Sequence, residues 1–365
     1  MPSFKSRNTW VALDMAGCPN RCRHCWVGWR PNRRMSEDNL RWVVNLFRNW
    51  ARPGDKEPYF EKVDAMTWFR EPEFHPDYRR LYELERELNG HPSTRFELLS
   101  IWRLAHDESY ARWAKEVGTE ACQIHFFGTQ ETNDWFFRRR GAFHDNLVAT
   151  ERLLDVGIRP RWELFFTKRI LPELADLLKL VDRMRLYQRT EAIGGEFVIF
   201  LHTPAPDGEA FSIEHLRPTI EDLAAVPSEL RECSERYLGR PIGEAESALV
   251  SQMLQEEPAF PSAYSYPEEL GFFITSQFDV FSNIGDLAPW WKLGNLEKDS
   301  LDSIIDTFEN NKAPGLHAIY NIPASEQAQR FGRRNGRRIY EPGDLKIRWI
   351  RMWCQSNQWG NNRNE

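Results

Sequence analysis

The chain lacks any apolar run near the roughly 20 residues that a membrane helix needs. Its first apolar stretch, Thr9 to Leu13, is cut short by Asp14. A helical membrane anchor and a cleavable export signal are thereby excluded, and the expectation is a soluble cytoplasmic protein. Cysteine is scarce as well, with six in 365 residues. That is too few for a disulfide scaffold and fits reduced thiols in a cytoplasm. Excess positive charge is also missing. A formal net charge of -6 argues against a general nucleic-acid binder. The stretch QRFGRRNGRRIY, with Arg330, Arg333, Arg334, Arg337 and Arg338, reads as a solvated loop.

What is present suffices for one large core with a smaller appended unit, since 41% of the residues are hydrophobic and 28% charged. The 15 tryptophans point mainly to core packing, and Trp42, Trp50 and Trp113 fall where helical spacing buries them.

Short apolar or β-branched runs begin at Thr9 (TWVALD), Val63 (VDAMTW), Phe96 (FELLSI), Ala121 (ACQIHFF), Arg161 (RWELFFT) and Phe197 (FVIFL). Helix-period segments with plausible ends lie between them. Ser36 precedes EDNLRWVVNLF, Asp77 precedes YRRLYELEREL with Gly90 beyond, Gly118 stops ESYARWAKEV, and Gly157 stops HDNLVATERLLDV. LPELADLLKLVDRMRL follows the fifth run. Six strand-helix units predict an α/β fold with a parallel sheet, whose chemistry belongs at the strands' carboxyl ends. Periodicity does not choose between a closed barrel and an open one. The rhythm fails after Leu201, so the boundary falls at 205/206, with a barrel over 1–205 and a smaller α+β extension over 206–365.

Half of the cysteines sit within eight residues, at Cys18, Cys22 and Cys25, just after the first strand. Three local thiolates hold a cubane iron-sulfur cluster and leave one iron open. The bland alternative is a structural zinc, which wants four ligands and would need to recruit His24 or a distant cysteine. No second CxxC-like clip exists, because the remaining cysteines stand alone at 122, 233 and 354.

Cys18-Pro-Asn-Arg-Cys22-Arg-His-Cys25 resembles the CxxxCxxC signature of the radical S-adenosylmethionine (radical SAM) superfamily. The resemblance implies a partial (β/α)6 TIM-like barrel, one 4Fe-4S cluster, SAM bound at the open iron, and a flavodoxin- or ferredoxin-type electron donor. It also implies reductive cleavage to a 5'-deoxyadenosyl radical that abstracts a substrate hydrogen. His24 stands where the family has an aromatic near the adenine. Glu71-Pro72, after the second strand, matches the Glu-Pro of the element that receives the SAM amino group, with Phe69 and Arg70 in place of its glycines. Gly194-Gly195-Glu196 is a closer literal match but precedes the sixth strand, so it reads as a turn entering that strand. His125 stands where the family often has a SAM-contacting serine. Arg140 is the candidate for the SAM carboxylate, and Ser100 the candidate for the ribose.

FDVFSNIGDLAPWWKLGNLEKDSLDSII resembles the SPASM or twitch extensions of that superfamily. Asn283 occupies the place of an auxiliary-cluster cysteine, so a single cluster with a degenerate cap is expected. Redox-neutral chemistry then gains over net oxidation. Cys354, in RMWCQSNQW, is a candidate hydrogen donor, with a buried inert thiol as the alternative. The nest begins near the start of the chain, which favours a small-molecule substrate over a peptide. A non-catalytic zinc or cluster-binding regulatory module is the competing class.

Overall fold

The computed structural model describes residues 7–13, 18–27, 34–67, 74–92, 98–255 and 270–357. Phe69, Arg70, Glu71 and Pro72 lie outside them, as do Phe96 and Glu97 of the third expected strand.

β1 (Asn8–Leu13) precedes α1 (Glu37–Arg48), whose first turn is capped by the Ser36 hydroxyl accepting from the Asn39 N–H. β2 (Lys62–Met66) precedes α2 (Tyr78–Asn89), which ends at Gly90 with φ 73°, a left-handed cap that costs glycine nothing. Then come α3 (Ile101–His106), α4 (Glu108–Glu116), β3 (Ala121–Phe126), α5 (Gln130–Phe137) and α6 (Ala142–Asp155). β4 (Arg159–Phe165), α7 (Leu174–Arg183), α8 (Leu186–Ala192) and β5 (Val198–His202) complete the alternating part.

The strand expected from Phe96 is not found among the described residues. Leu98, Leu99 and Ser100 lie outside any strand, and Ile101 opens α3. The Ser100 hydroxyl accepts from the Arg103 N–H, a helix cap where a strand end was expected. A short apolar run does not by itself separate strand from buried helix, and here the serine cap decides it.

The remaining elements are α9 (Ile220–Ala224), α10 (Ser228–Leu238), β6 (Glu244–Ala245), α11 (Glu246–Gln255), β7 (Leu270–Ile274), β8 (Asp279–Ser282) and β9 (Lys292–Asn295). They close with α12 (Leu301–Glu309), α13 (Pro314–Tyr320), α14 (Ala324–Phe331), β10 (Ile339–Tyr340) and α15 (Pro342–Ser356). Ser300 caps α12, its hydroxyl accepting from the Ser303 N–H.

β3, β4 and β5 form one parallel sheet, with Ile124 beside Trp162 and Leu164 beside Leu201. A second sheet runs β2-β1-β7-β8-β9. β1 is parallel to both β2 and β7, while β8 and β9 return antiparallel. The C-terminal segment thus contributes a strand directly beside β1. No closed barrel is present among the described residues.

Alternation along the strands sorts their faces. Cys122, Ile124, Phe126, Trp162, Leu164, Ile199 and Leu201 pack with Leu153 of α6, Leu177 of α7 and Leu230 of α10 in one core. A second core joins Val11, Val63 and Phe272 to Phe47 of α1, Phe308 of α12 and Ile350 of α15. Trp50 and Trp113 are buried as expected. Trp42 is not: it is 40% exposed, with its ring edge-on to Phe278 at 5.3 Å.

Candidate active site

The cysteine loop is sutured by backbone. Arg23 N–H donates to the Phe136 carbonyl at 2.8 Å and Arg21 N–H to that of Phe137 at 3.4 Å, so the loop rides on the last turn of α5. From the other side Glu209 N–H donates to the Cys25 carbonyl at 2.9 Å. Gly208, at φ +52°, approaches so closely that a Cβ there would meet the carbonyl oxygens of Trp26 at 2.2 Å and Cys25 at 2.5 Å. Only glycine suits a position that is both left-handed and crowded by backbone.

His24 locates the loop relative to the sheet. Its ring lies 4.4 Å from Phe127 and 4.7 Å from Phe165, at the carboxyl ends of β3 and β4, and 5.9 Å from His125. Burial disfavours its charge, and with His125 it pushes the pKa down to about 3. Its Nδ1 is buried without a hydrogen-bond partner among the described residues. Beneath this ring Phe127, Phe136, Phe137 and Phe165 form a small aromatic cluster against which Cys22 and Trp135 also pack.

Cys18, Cys22 and Cys25 are each half-buried. Thiolate donors of this number on one short loop suit a 4Fe-4S cluster. Among the described residues no three His, Cys, Asp or Glu groups are already gathered at metal-binding distance. The fit therefore rests on donor chemistry and on the loop's position at the sheet's carboxyl edge.

A polar row, not anticipated from the sequence, lies on the face of β3, β4 and β5 turned away from the helices. Glu163, only 4% exposed, lies 3.0 Å from His125 Nε2 and 2.7 Å from His202 Nδ1, and accepts from Gln123 Nε2 at 2.6 Å. The far nitrogen of His202 faces Glu341, at the start of α15, at 3.2 Å. Burial opposes charge on both groups, but His125 and His202 outweigh it at Glu163 and hold its carboxylate well below the usual range. At His202 the two carboxylates likewise prevail and push the pKa up to about 10. One signal in the sequence was available: Glu163 is the charged interruption of the apolar run Trp162 to Phe166.

Behind the loop, Asp207 and Asp286 are both buried. Asp207 accepts from the Asp286 N–H at 3.1 Å, and Arg351 Nη1 lies 3.8 and 3.6 Å from the two carboxylates. Burial, and then the neighbouring Asp286, push the Asp207 carboxyl up.

Of the expected residues, His24 and His125 meet with ring centroids 5.9 Å apart, and Cys22 packs on the phenylalanine cluster that lies against His24. Ser100 is buried and committed to the α3 cap. Cys354 is buried in the core with Ile350, and burial pushes its thiol up to about 12. Arg140 is exposed on a groove of about 540 Å³ outside the loop, which it lines with Gln130, Glu131, Asp134, Arg138 and Arg139. Arg139 is the arginine tied to the loop, donating to Asn20 Oδ1 and to Asp145, both at 2.6 Å. Glu196 is exposed at the amino end of β5, after the Gly194-Gly195 turn.

No family model matches the chain, and no curated protein does. Among solved structures, hexahistidine-tagged anSMEcpe with bound AdoMet matches with a TM-score of 0.54 at 12% identity, over 98% of this chain and 96% of that one. Native anSMEcpe with bound AdoMet gives 0.52 at 12% identity, over 97% and 100%. The chain has the fold of anSMEcpe. Native anSMEcpe with AdoMet and Cp18Cys peptide gives 0.51 at 12% identity, over 97% and 99%. Within this fold, the described cysteine loop lies over the carboxyl ends of the parallel strands, through the contacts of His24.

Proposed function

We propose that this protein is a radical SAM enzyme that reductively cleaves S-adenosylmethionine and abstracts a hydrogen atom from its substrate. The observation that carries the reading is a loop with three cysteines, Cys18, Cys22 and Cys25, at the carboxyl edge of a parallel sheet. These thiolates would hold a 4Fe-4S cluster, which when bound would supply the one-electron reduction that splits SAM into methionine and a 5'-deoxyadenosyl radical.

The chain's own residues do the rest. The backbone bonds from Arg21, Arg23 and Glu209 fix the loop's height above the strands. The phenylalanine cluster under His24 keeps water from reaching the thiols from the sheet side. The buried Nδ1 of His24, without a partner among the described residues, offers one hydrogen bond to the adenosine end of SAM. Glu71 receives the SAM amino group through a charge-assisted hydrogen bond, beside Pro72. His125 closes the cofactor site on the β3 side, and Arg140 remains the candidate for the SAM carboxylate. The row Glu163, His202 and Glu341, tied by contacts of 2.7 and 3.2 Å, offers a charged wall on the sheet for a substrate to meet.

A small molecule is the substrate class, reached by rearrangement, epimerisation, dehydrogenation or a related tailoring step. A peptide stays as a second reading because anSMEcpe is seen with a bound Cp18Cys peptide. Electrons come from a flavodoxin- or ferredoxin-type donor. Anaerobic reconstitution tests the core of the proposal: about four irons per chain and reductant-dependent 5'-deoxyadenosine support it. One zinc per chain with no SAM cleavage favours a regulatory module and sinks it.

A further inference from the structure

Gly208, whose backbone crowds the carbonyls of Cys25 and Trp26, is itself gripped by residues from the C-terminal part of the chain. Its N–H donates to two carboxylate oxygens, Asp207 Oδ1 and Asp286 Oδ2, each at 3.1 Å. Its carbonyl accepts from Arg351 Nη1 at 3.2 Å. Both polar groups of this residue are thus engaged, one by the loop after β8 and the other by α15. The following residue passes the grip to the cysteine loop, because the Glu209 N–H donates to the Cys25 carbonyl at 2.9 Å.

The clasp is closed on itself. The Asp286 N–H donates to Asp207 Oδ2 at 3.1 Å, and Asp286 Oδ1 accepts from the Ala288 N–H at 2.9 Å. The Arg351 guanidinium sits 4.4 Å from the ring centroid of Phe211 and 5.5 Å from that of Trp290, which fixes where its nitrogens point. Asp207 and Asp286 are 5% and 4% exposed, and the guanidinium lies 3.8 and 3.6 Å from them. Setting two carboxylates side by side out of water is costly, and one cation offsets only part of that cost. Apolar side chains of similar volume would hold these segments together at least as well. What apolar side chains do not supply is direction, which hydrogen bonds to a backbone N–H and a backbone carbonyl impose.

We propose that Asp286 and Arg351 are positioning residues for Cys25, setting the height and orientation of its peptide through Gly208 and Glu209. The proposal rests on the radical SAM reading, in which Cys25 is a cluster ligand. Contacts outside the ligands orient the ligands themselves, and losing one typically costs about 10–100-fold in metal affinity. The loop after β8 and α15 therefore take part in the cluster site through hydrogen bonds to backbone.

The test uses the full-length protein, anaerobically reconstituted, with bathophenanthroline as the iron chelator. Asp286→Asn keeps the side chain's shape while turning one acceptor oxygen into a donor, so it is the variant expected to fold. Arg351→Met removes the donor to the Gly208 carbonyl, and Arg351→Lys keeps a donor and a charge there. At a temperature where each variant is fully folded by circular dichroism, the first two should lose iron to the chelator about tenfold faster than the parent. The electron paramagnetic resonance signal of their dithionite-reduced cluster should shift, and Arg351→Lys should return both readouts toward the parent. A merely structural clasp would lower the denaturation midpoint and leave the spectrum of the folded protein unmoved. Parental iron loss and a parental spectrum in both Asp286→Asn and Arg351→Met overturn the positioning role alone. Failure of the parent protein to take up a 4Fe-4S cluster overturns the radical SAM reading and the positioning role with it.

Discussion

Glu163 on β4 accepts from His202 Nδ1 on β5 at 2.7 Å, and the opposite nitrogen of that imidazole reaches Glu341 of the last helix at 3.2 Å. One buried charge on the sheet therefore helps hold the C-terminal helix against it. Truncating Glu163 to Ala leaves His202 and His125 without their shared carboxylate and should cost about 3 kcal/mol in chemical denaturation, as for other broken buried pairs.

The pH dependence of this linkage has two edges. His202 is raised to about 10, so its contribution is complete below its ordinary value of 6.5 and fades as pH climbs toward 10. Glu163 is lowered from 4.5, so its contribution is present above that value and lost as pH falls further. Stability should thus be greatest between about pH 5 and 6.5 and decline on the alkaline side first. In Glu163→Gln the alkaline decline should shrink, since Glu341 alone still favours the charged His202, read as a shallower fall of the denaturation midpoint from about pH 7 to 9; persistence of the full slope would refute the assignment.

Gly208 sets the seat of the cysteine loop. Gly208→Ala adds a Cβ at 2.2 Å from the Trp26 carbonyl oxygen and forces an alanine to φ +52°. The backbone strain alone is on the order of 1–3 kcal/mol, and the clash adds to it. Reconstituted iron per chain should drop along with the melting temperature. Normal iron loading in this variant would show that the segment after Asp207 does not position the loop.

Strand and helix were legible wherever periodicity and a cap agreed, as at Ser36 before α1 and Gly90 after α2. They were misread at FELLSI, where four apolar residues suited either state and only the hydrogen bond from Arg103 N–H to Ser100 Oγ told them apart. The cysteine loop stands out in the sequence because its three thiols fall within eight residues. The row of Glu163, His202 and Glu341 was not, because its members lie on β4, β5 and α15 and meet only through the fold. Arg139, tied to Asn20, was likewise hidden among three successive arginines that sequence does not rank.

Ser100 offers a clean separation of structure from chemistry. If its hydroxyl only caps α3, Ser100→Ala should cost about 1 kcal/mol and leave SAM affinity unchanged. A tenfold loss of SAM binding at full stability would restore the ribose contact expected from the sequence.

Glu71 and Glu196 divide the last question. Glu196 is exposed at the amino end of β5, the edge opposite the one that carries His24 and the cysteines. Neutralising it as Glu196→Gln should leave SAM affinity and cleavage at the parent level, since surface substitutions of this kind shift stability by no more than about 0.5 kcal/mol. Glu71→Gln removes the charge that the SAM ammonium group would meet, and a charge-assisted hydrogen bond of that kind is worth about 1.5–3 kcal/mol. Equilibrium dialysis with SAM should therefore show about a tenfold or greater loss for Glu71→Gln alone. The reverse outcome, with Glu196→Gln impaired and Glu71→Gln intact, would move the amino-group site to the Gly-Gly-Glu turn and require SAM to bind at the wrong end of the sheet for the cysteine loop to reach it.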